Sequence, residues 1–457
     1  MSLRPNVSVN RTFTTSLVGG LGVRISAMLG TAKWGPVNEV VTLNSFSDYL
    51  RVFSGETSSG LTGVKGAQLF FQQGGVLKFL RVADGDAAKA EISLLDGSSS
   101  NLIDVIAKYE GTAGNEIFVK VSDAGSSKVF YTFQQGDNIE FFTNDGNGYA
   151  NANEAINNIE SSLVDLSLSS GATGTDQVAV VNSVFLEDGN NGDGDITNNI
   201  ITTALEKFLT EDFNYLLIPG FPDNTLHVTV NGWLSNRSLT EKKASVLITG
   251  VSLNESLNSI SSRTVSGERT VIVSPGVRTV NRHTGNNENL DGSYLACAIG
   301  GLLSSGGVGD SVTNKSLNIN GLNLIYNRQE QDRLLEMRVV PVSIVNGLPT
   351  VIRGVTRFSD KTSPNFELVI VDIVDEITKV LRTFYNGVIS RPNTAVSRRI
   401  YASNTDAIFD NLIREGLVEE FLPSQVEIGQ SPDSIIVNVQ FKPVYSVNFV
   451  QLNLVIN

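Results

Sequence analysis

The chain of 457 residues predicts a multidomain α+β protein: an α/β middle domain, a mainly β domain inserted before it, and an α+β C-terminal domain, with extended arms at the termini. Three observations predict this. Between residues 200 and 340, helix-like and strand-like segments alternate, as in an α/β layer. From about Asp84 to Asn199 the chain turns to short β-like runs separated by Gly, Asn, Asp and Ser. The final 120 residues carry an amphipathic helix and then strict two-residue alternation.

Residues 1–20 hold only isolated apolar side chains, Val7, Val9, Phe13 and Leu17, too few for a core of their own. They read as an N-terminal arm that needs a partner surface. Residues 21–85 form an N-terminal α/β part. There Ser45 and Asp48 stand at capping-box spacing around a helix reaching Phe53, with apolar positions at helical intervals from Phe46. A second helix, Val64 to Gln73, stops at Gly74-Gly75 before a strand from Val76 to Val82.

Residues 86–199 are the inserted domain, with strands near Ile117–Val121 and Lys128–Phe133. The polar run Glu187 to Asp195 is expected to be an exposed loop. In the 200–340 domain a helix near Ile201–Leu209 precedes strands at Tyr215–Ile218, Val246–Ile248 and Val271–Val273. Two of them end in Ile218-Pro219-Gly220 and Ser274-Pro275-Gly276, which suits strands emptying into loops at one edge of an open sheet. Helices near Ser293–Leu303 and Arg328–Met337 complete the layer.

In residues 341–457, Ile370, Ile373, Val374, Ile377, Val380, Leu381 and Phe384 repeat with a period of 3.6. Asp372, Asp375, Glu376, Lys379 and Arg382 are assigned to that helix's solvated face. A further helix is predicted near Thr405–Arg414. Ile435, Val437, Val439 and Phe441 then alternate with Ile436, Asn438 and Gln440, and Val450, Leu452, Leu454 and Ile456 alternate with Gln451, Asn453 and Val455 in a strand that ends the chain.

Asp and Glu outnumber Lys and Arg by 47 to 34, giving −13, which disfavours direct nucleic-acid binding and an anionic membrane surface. Hydrophobic residues at 41% exclude wholesale disorder. The single cysteine, Cys297, excludes an intrachain disulfide and sits in an apolar helix, so it reads as a buried thiol and not a nucleophile. No signal-peptide pattern and no run of about 18 apolar residues is present, so membrane insertion is not expected.

His227 and His283 are the only histidines, and neither has a ligand-spaced partner. Asp372, Asp375 and Glu376 share a helix face that could hold a cation, yet carboxylates early in a helix are also favoured by its dipole. The Asp188–Asp195 run lacks the glycine and closing glutamate of a calcium loop. No phosphate-binding glycine motif or Gly-x-Ser-x-Gly turn is present. No catalytic, cofactor-binding or metal-binding residue is therefore assigned. The basic pair Arg398-Arg399 is solvated surface or a contact face for an acidic partner.

Several segments in order resemble the contractile tail sheath family of phages, R-type bacteriocins and contractile injection systems. Gly30-Thr-Ala-Lys33-Trp-Gly35-Pro36-Val37-Asn38, followed by Ser45-Phe46 and Phe53, is similar to the family's "GTAKRGPVN … SFEEFERVFG" opening. Phe70-Phe71-Gln-Gln-Gly74-Gly75 with Leu80-Arg81-Val82 resembles "FFENGG … VVRV", and Gly111-Thr112-Ala113-Gly114-Asn115 resembles "PGTWGN" with alanine for tryptophan. Ile218-Pro219-Gly220 falls at the family's "IPG". Arg357-Phe358-Ser359, Ile413-Arg414-Glu415-Gly416 and Lys442-Pro443-Val444-Tyr445 extend the likeness to the C-terminus.

The resemblance implies a structural subunit that polymerises helically, in stacked rings, around an inner tail tube and contracts from a metastable extended state. It implies baseplate and tail terminator partners, no cofactor, and a place in a virion tail or injection particle assembled in the bacterial cytoplasm. The middle domain would be subtilisin-like in fold but without a catalytic site, since no Gly-Thr-Ser-Met-Ala helix start occurs. Val7, Val9, Phe13, Leu17, Val450, Leu452 and Leu454 would be inter-subunit arms, and Arg398, Arg399 and Arg414 would face the tube. The alternative is a non-contractile, β-rich surface protein that binds a receptor or glycan through its inserted domain. An enzyme built on Asp372, Asp375 and Glu376 is a third reading.

Overall fold

A computed structural model describes residues 22–55 and 60–448. The chain falls into two compact units. One comprises Arg24–Gly306 with Val312–Phe366; the other, among the described residues, comprises 22–23, Gly307–Ser311 and 367–448.

The larger unit is organised by an eight-stranded sheet. Its order is Leu348–Val351, Val340–Val345, Thr270–Ser274, Val246–Gly250, Tyr215–Leu217, Ile25–Gly30, Val76–Arg81 and Val40–Leu43. The six inner strands are parallel and the two outer ones antiparallel to their neighbours. Thr270–Ser274 and Val246–Gly250 are buried at every position, as strands covered on both faces must be. Because side chains alternate along a strand, Leu216 and Ile218 meet the helices Asn198–Leu205 and Asn224–Thr240 on one face. Leu217 meets Gly300 of the helix Gly292–Ser305 on the other.

The helix Phe46–Phe53 begins as its capping spacing predicts, with the Ser45 hydroxyl accepting the Asp48 N–H at 3.1 Å. The helix Thr62–Phe71 starts two residues earlier than the sequence pattern suggests. Between Val76–Arg81 and Tyr215–Leu217 the chain leaves the sheet to build a β sandwich. Lys89–Leu95, Asn101–Glu110 and Val164–Leu168 form one antiparallel sheet. Val181–Phe185, Phe118–Gly125, Lys128–Gln135 and Asn138–Phe142 form the other, and the two share one core.

The run 187–195, expected as an exposed loop, is instead partly interior. Asn190 and Ala88 exchange backbone hydrogen bonds at 3.0 and 3.1 Å, and Asn191 is only 5% exposed. Its side-chain oxygen accepts the Thr112 N–H at 2.8 Å, while its carbonyl accepts from the guanidinium of Arg81 at 3.2 Å. Small polar residues fit here because the returning chain pairs with the outgoing one, and Gly189 lies where a Cβ would meet the Gly111 carbonyl at 2.5 Å.

The smaller unit pairs two long helices, Leu368–Asn386 and Ala395–Arg414, with a two-stranded antiparallel ribbon of Val418–Ile428 and Ile435–Pro443. The second helix begins ten residues before the predicted Thr405, capped by the Thr394 hydroxyl on the Ser397 N–H. In its extra turns Val396 and Ile400 are exposed and basic and polar residues separate them, so no apolar stripe marks them. Ile377, Phe409, Leu412 and Val418 centre the core, against which Phe421 and Phe441 pack.

Candidate assembly surfaces and the closed sheet edge

In open α/β sheets ligands gather beyond the carboxyl ends of the strands. Here that edge is filled. A Cβ on Gly250, which ends its strand, would lie 1.9 Å from the Gly292 carbonyl carbon, so the start of the Gly292–Ser305 helix sits directly on the strand end. Asp291 caps this helix through the Ser293 N–H at 2.8 Å and also accepts the Ser293 hydroxyl. The same hydroxyl oxygen accepts the Gly220 N–H at 2.8 Å. Ser293 is fully buried, and its hydroxyl ties Gly220 to the helix start.

His227 is likewise interior, between the Phe221 carbonyl and the Thr249 hydroxyl, each 2.9 Å from Nε2. Burial, reinforced by Arg263 against its Nδ1, lowers its pKa to about 4 despite the hydrogen bond to Phe221. Arg263 in turn is paired with the buried carboxylate of Glu255 at 3.0 Å. Cys297 is fully buried, its thiol donates to the Ser293 carbonyl at 3.4 Å, and burial holds its pKa well up. His283 lies in the exposed turn of the hairpin joining Val277–Val280 to Asn287–Leu290.

The motif that opens the chain's core is structural. Lys33 pairs with Glu116 at 2.8 Å, and its carbonyl accepts the N–H of Ala113, the residue standing for the motif's tryptophan. A Cβ at Gly111, where φ is +126°, would lie 2.1 Å from that Lys33 carbonyl. Arg81 completes this junction through the Gly35 and Glu110 carbonyls, both at 2.8 Å. Arg357 is similarly buried and donates to the carbonyls of Val265 at 3.0 Å and Arg263 at 2.8 Å.

In the smaller unit the ribbon offers a surface open to a partner. Among the described residues each of its strands pairs only with the other, leaving both outer edges without a neighbour. Ile435, Val437, Val439 and Phe441 turn toward the helices while Ile436, Asn438, Gln440 and Lys442 turn out, as the alternation predicts. Apolar side chains nevertheless remain on the exposed side, including Leu422, Ile428 and Ile436. An open strand edge flanked by exposed apolar groups is a template for an added strand.

Arg398 and Arg399 lie near the start of Ala395–Arg414, with the Arg398 guanidinium donating to Asn393 at 2.8 Å. Arg414 ends the same helix, about 22 Å away at 1.5 Å per residue, and donates to Asn411 and to the Asp410 carbonyl. The three are therefore not one patch. The pair belongs to a cationic stretch: from Ile377 to Thr405 there are five basic residues and no carboxylate, with Ile389, Val396 and Ile400 exposed.

Asp372 and Glu376, assigned above to a solvated face, are buried at 8% and 6% exposure. The Glu376 carboxylate accepts the Gly22 N–H at 3.3 Å, which draws it inward. Val7, Val9, Phe13, Leu17, Val450, Leu452 and Leu454 lie outside the described residues. Sequence reasoning passed over Arg81, Asn191 and the strand Val418–Ile428; in that strand Pro423 and two irregularities in register interrupt the two-residue period.

Residues 361–457 match the family model described as the phage tail sheath C-terminal domain. Over 269 residues, 56% of this chain, the sequence is 24% identical to the tail sheath protein of Staphylococcus phage Twort. That match spans 44% of the relative, less than half its length. The fold is similar to that of a sheath tail protein from Listeria innocua, with TM-score 0.71, 18% identity and 94% of each chain covered. It is similar again to one from Desulfitobacterium hafniense, with TM-score 0.70, 16% identity, and 94% of this chain and 95% of that one covered. The resemblance to tail sheath proteins read from the sequence thus holds.

Proposed function

We propose that this chain, whose C-terminal residues match the phage tail sheath domain and whose fold follows sheath tail proteins over nearly its whole length, is the structural subunit of a contractile tail sheath. It polymerises helically around an inner tail tube and contracts from a metastable extended state, driving the tube through a target envelope. Baseplate and tail terminator proteins bound the array. The particle is a virion tail or an injection system, assembled in the host bacterial cytoplasm.

The observation that carries the reading is the ribbon with two open edges, in a unit that matches the sheath domain. A helical array needs two different, complementary surfaces on every subunit, repeating without closure. The arms supply the second surface: Val7, Val9, Phe13 and Leu17 at one end, and Val450, Leu452 and Leu454 at the other, add as strands to ribbons of neighbouring subunits. Arg398 and Arg399, with Arg414 apart from them, face the tube.

In this proposal the chain divides at 1–20, 21–85, 86–199, 200–340 and 341–457, and the 200–340 domain is subtilisin-like without its catalytic site. Energy for contraction is stored at assembly, so the subunit needs no cofactor and no catalysis. Rigid bodies turn at their interfaces while the arms keep the mesh joined. Electron microscopy of the purified full-length chain tests it: striated, wide tubes are expected. A chain lacking residues 1–18 should remain folded and fail to form them. Normal tubes from that shorter chain would overturn the arm assignment, and closed rings or monomers from both, even with a tube added as nucleus, would overturn the sheath reading.

A further inference from the structure

The inserted sandwich carries a surface that the assembly reading leaves unused. Its four-stranded sheet turns one face into the shared core through Val119, Val121, Val129, Tyr131 and Phe133. By alternation the opposite face presents Phe118, Lys120, Phe130, Thr132, Phe141 and Phe185. Phe118 and Phe185, directly paired across strands, have ring centroids 5.9 Å apart, and Phe130 meets Phe141 diagonally at 5.5 Å, since Phe141 lies opposite Thr132. Phe141 and Phe185 are more than half exposed. Phe130 lies opposite Ser122, about 14 Å along the strands from Phe118 at 3.4 Å per residue, while Phe141, in register with Thr132 and Lys120, lies about 7 Å along from Phe118. Lys120 and Thr132, directly paired across strands, fill the interval with hydrogen-bonding groups.

Charge narrows what this face can hold. Residues 86–199 contain eighteen carboxylates against four lysines and no arginine, a formal −14, while the rest of the chain sums to +1. That field repels nucleic acids, phosphate- or uronate-bearing polymers and a second inserted domain alike. Yet the outward positions of its strands carry no carboxylate, so a cationic peptide finds no ion-pair partner on this face, only Lys120 at its centre. The occupant that fits is uncharged, with flat apolar faces for the rings and hydroxyls for Lys120 and Thr132. We propose that the outer face of this four-stranded sheet is a binding platform for a neutral polysaccharide, whose sugar rings stack on the two phenylalanine pairs. The platform is independent of the assembly reading and gives the subunit a second, adhesive activity.

The test is calorimetric titration of the full-length chain with neutral hexose and N-acetylhexosamine oligosaccharides of four to six rings, beside polygalacturonate and oligolysine. At least one neutral oligosaccharide should bind, with an affinity unchanged between about 50 and about 300 mM salt, because no ion pair is involved. Phe141→Ser and Phe185→Ser should each weaken it about tenfold, the scale of one lost stacking contact, with the melting temperature unchanged. Absence of binding across the neutral panel overturns the proposal, as does binding that both serine variants retain. Binding confined to oligolysine, and lost in salt, would assign the domain to a basic partner instead.

Discussion

Gly250 and Gly292 meet backbone to backbone, so that a Cβ on either would lie within 2.7 Å of main-chain atoms across the contact. Neither position can yield, because one ends a fully buried strand and the other starts a helix buried at every position but Leu302 and Ser305. Gly250→Ala is expected to lower stability by about 3 kcal/mol, the upper end for overpacking in a core. Chemical denaturation followed by circular dichroism measures it, and an alanine variant within about 0.5 kcal/mol of the parent would contradict the contact.

Arg81 holds three carbonyls, those of Gly35, Glu110 and Asn191, and is itself fully buried. Desolvation draws its pKa down to about 10, partly offset by Glu110. Arg81→Met keeps the bulk and abandons the carbonyls, at a cost of roughly 3 kcal/mol for groups left without partners. Limited proteolysis should then cut within residues 84–88 or 190–196 well before the parent is cut. Equal cleavage rates would show that the junction does not depend on this side chain.

His227 titrates at about 4 in the fold, against 6.5 for the free side chain, because burial disfavours the cation. Above pH 6.5 it is neutral in both states and its contribution is fully present. As pH falls from 6.5 to 4 the unfolded chain takes up a proton that the fold refuses, so stability drops by about 3 kcal/mol from this group. Comparing denaturation at pH 7 and 4.5 in the parent and in His227→Gln isolates it: the parent should lose more. Equal losses would place the pH dependence elsewhere.

Tyr49 is fully buried beside Phe53 and Phe79, and its hydroxyl has no hydrogen-bond partner among the described residues. Burial pushes the phenol pKa far up. Removing an unsatisfied buried group relieves its desolvation, so Tyr49→Phe should be neutral or more stable by about 1 kcal/mol. A loss of similar size would reveal a bound water between this hydroxyl and its surroundings.

Legibility followed periodicity. Phe46–Phe53, the ribbon strand from Ile435 and the buried parallel strands were readable because each has one unbroken pattern and one environment. The start of the helix at Ala395 was not, since Val396 and Ile400 are exposed and no apolar stripe marks those turns. Nor was the inward place of Asp372 and Glu376, because a carboxylate's partner is set by tertiary packing and not by helical spacing. Arg81 and Arg357 lay inside recognisable motifs, yet their work is to satisfy carbonyls far away in sequence, which no local pattern encodes. Of the assembly surfaces, the alternation exposed the ribbon's inner and outer faces, whereas the 22 Å between Arg399 and Arg414 follows only from the helix that separates them.

The hydrogen-bonded pairing of Ala88 with Asn190 has an engineering consequence. Directly opposed residues of such a pair have Cα atoms about 5.5 Å apart, close enough for a short turn to join them. Everything between them leaves and rejoins the chain at one point, so a foreign module whose ends lie together could replace the sandwich with every strand of the eight-stranded sheet kept, provided it offers Arg81 the carbonyl that Glu110 supplies and covers Trp34.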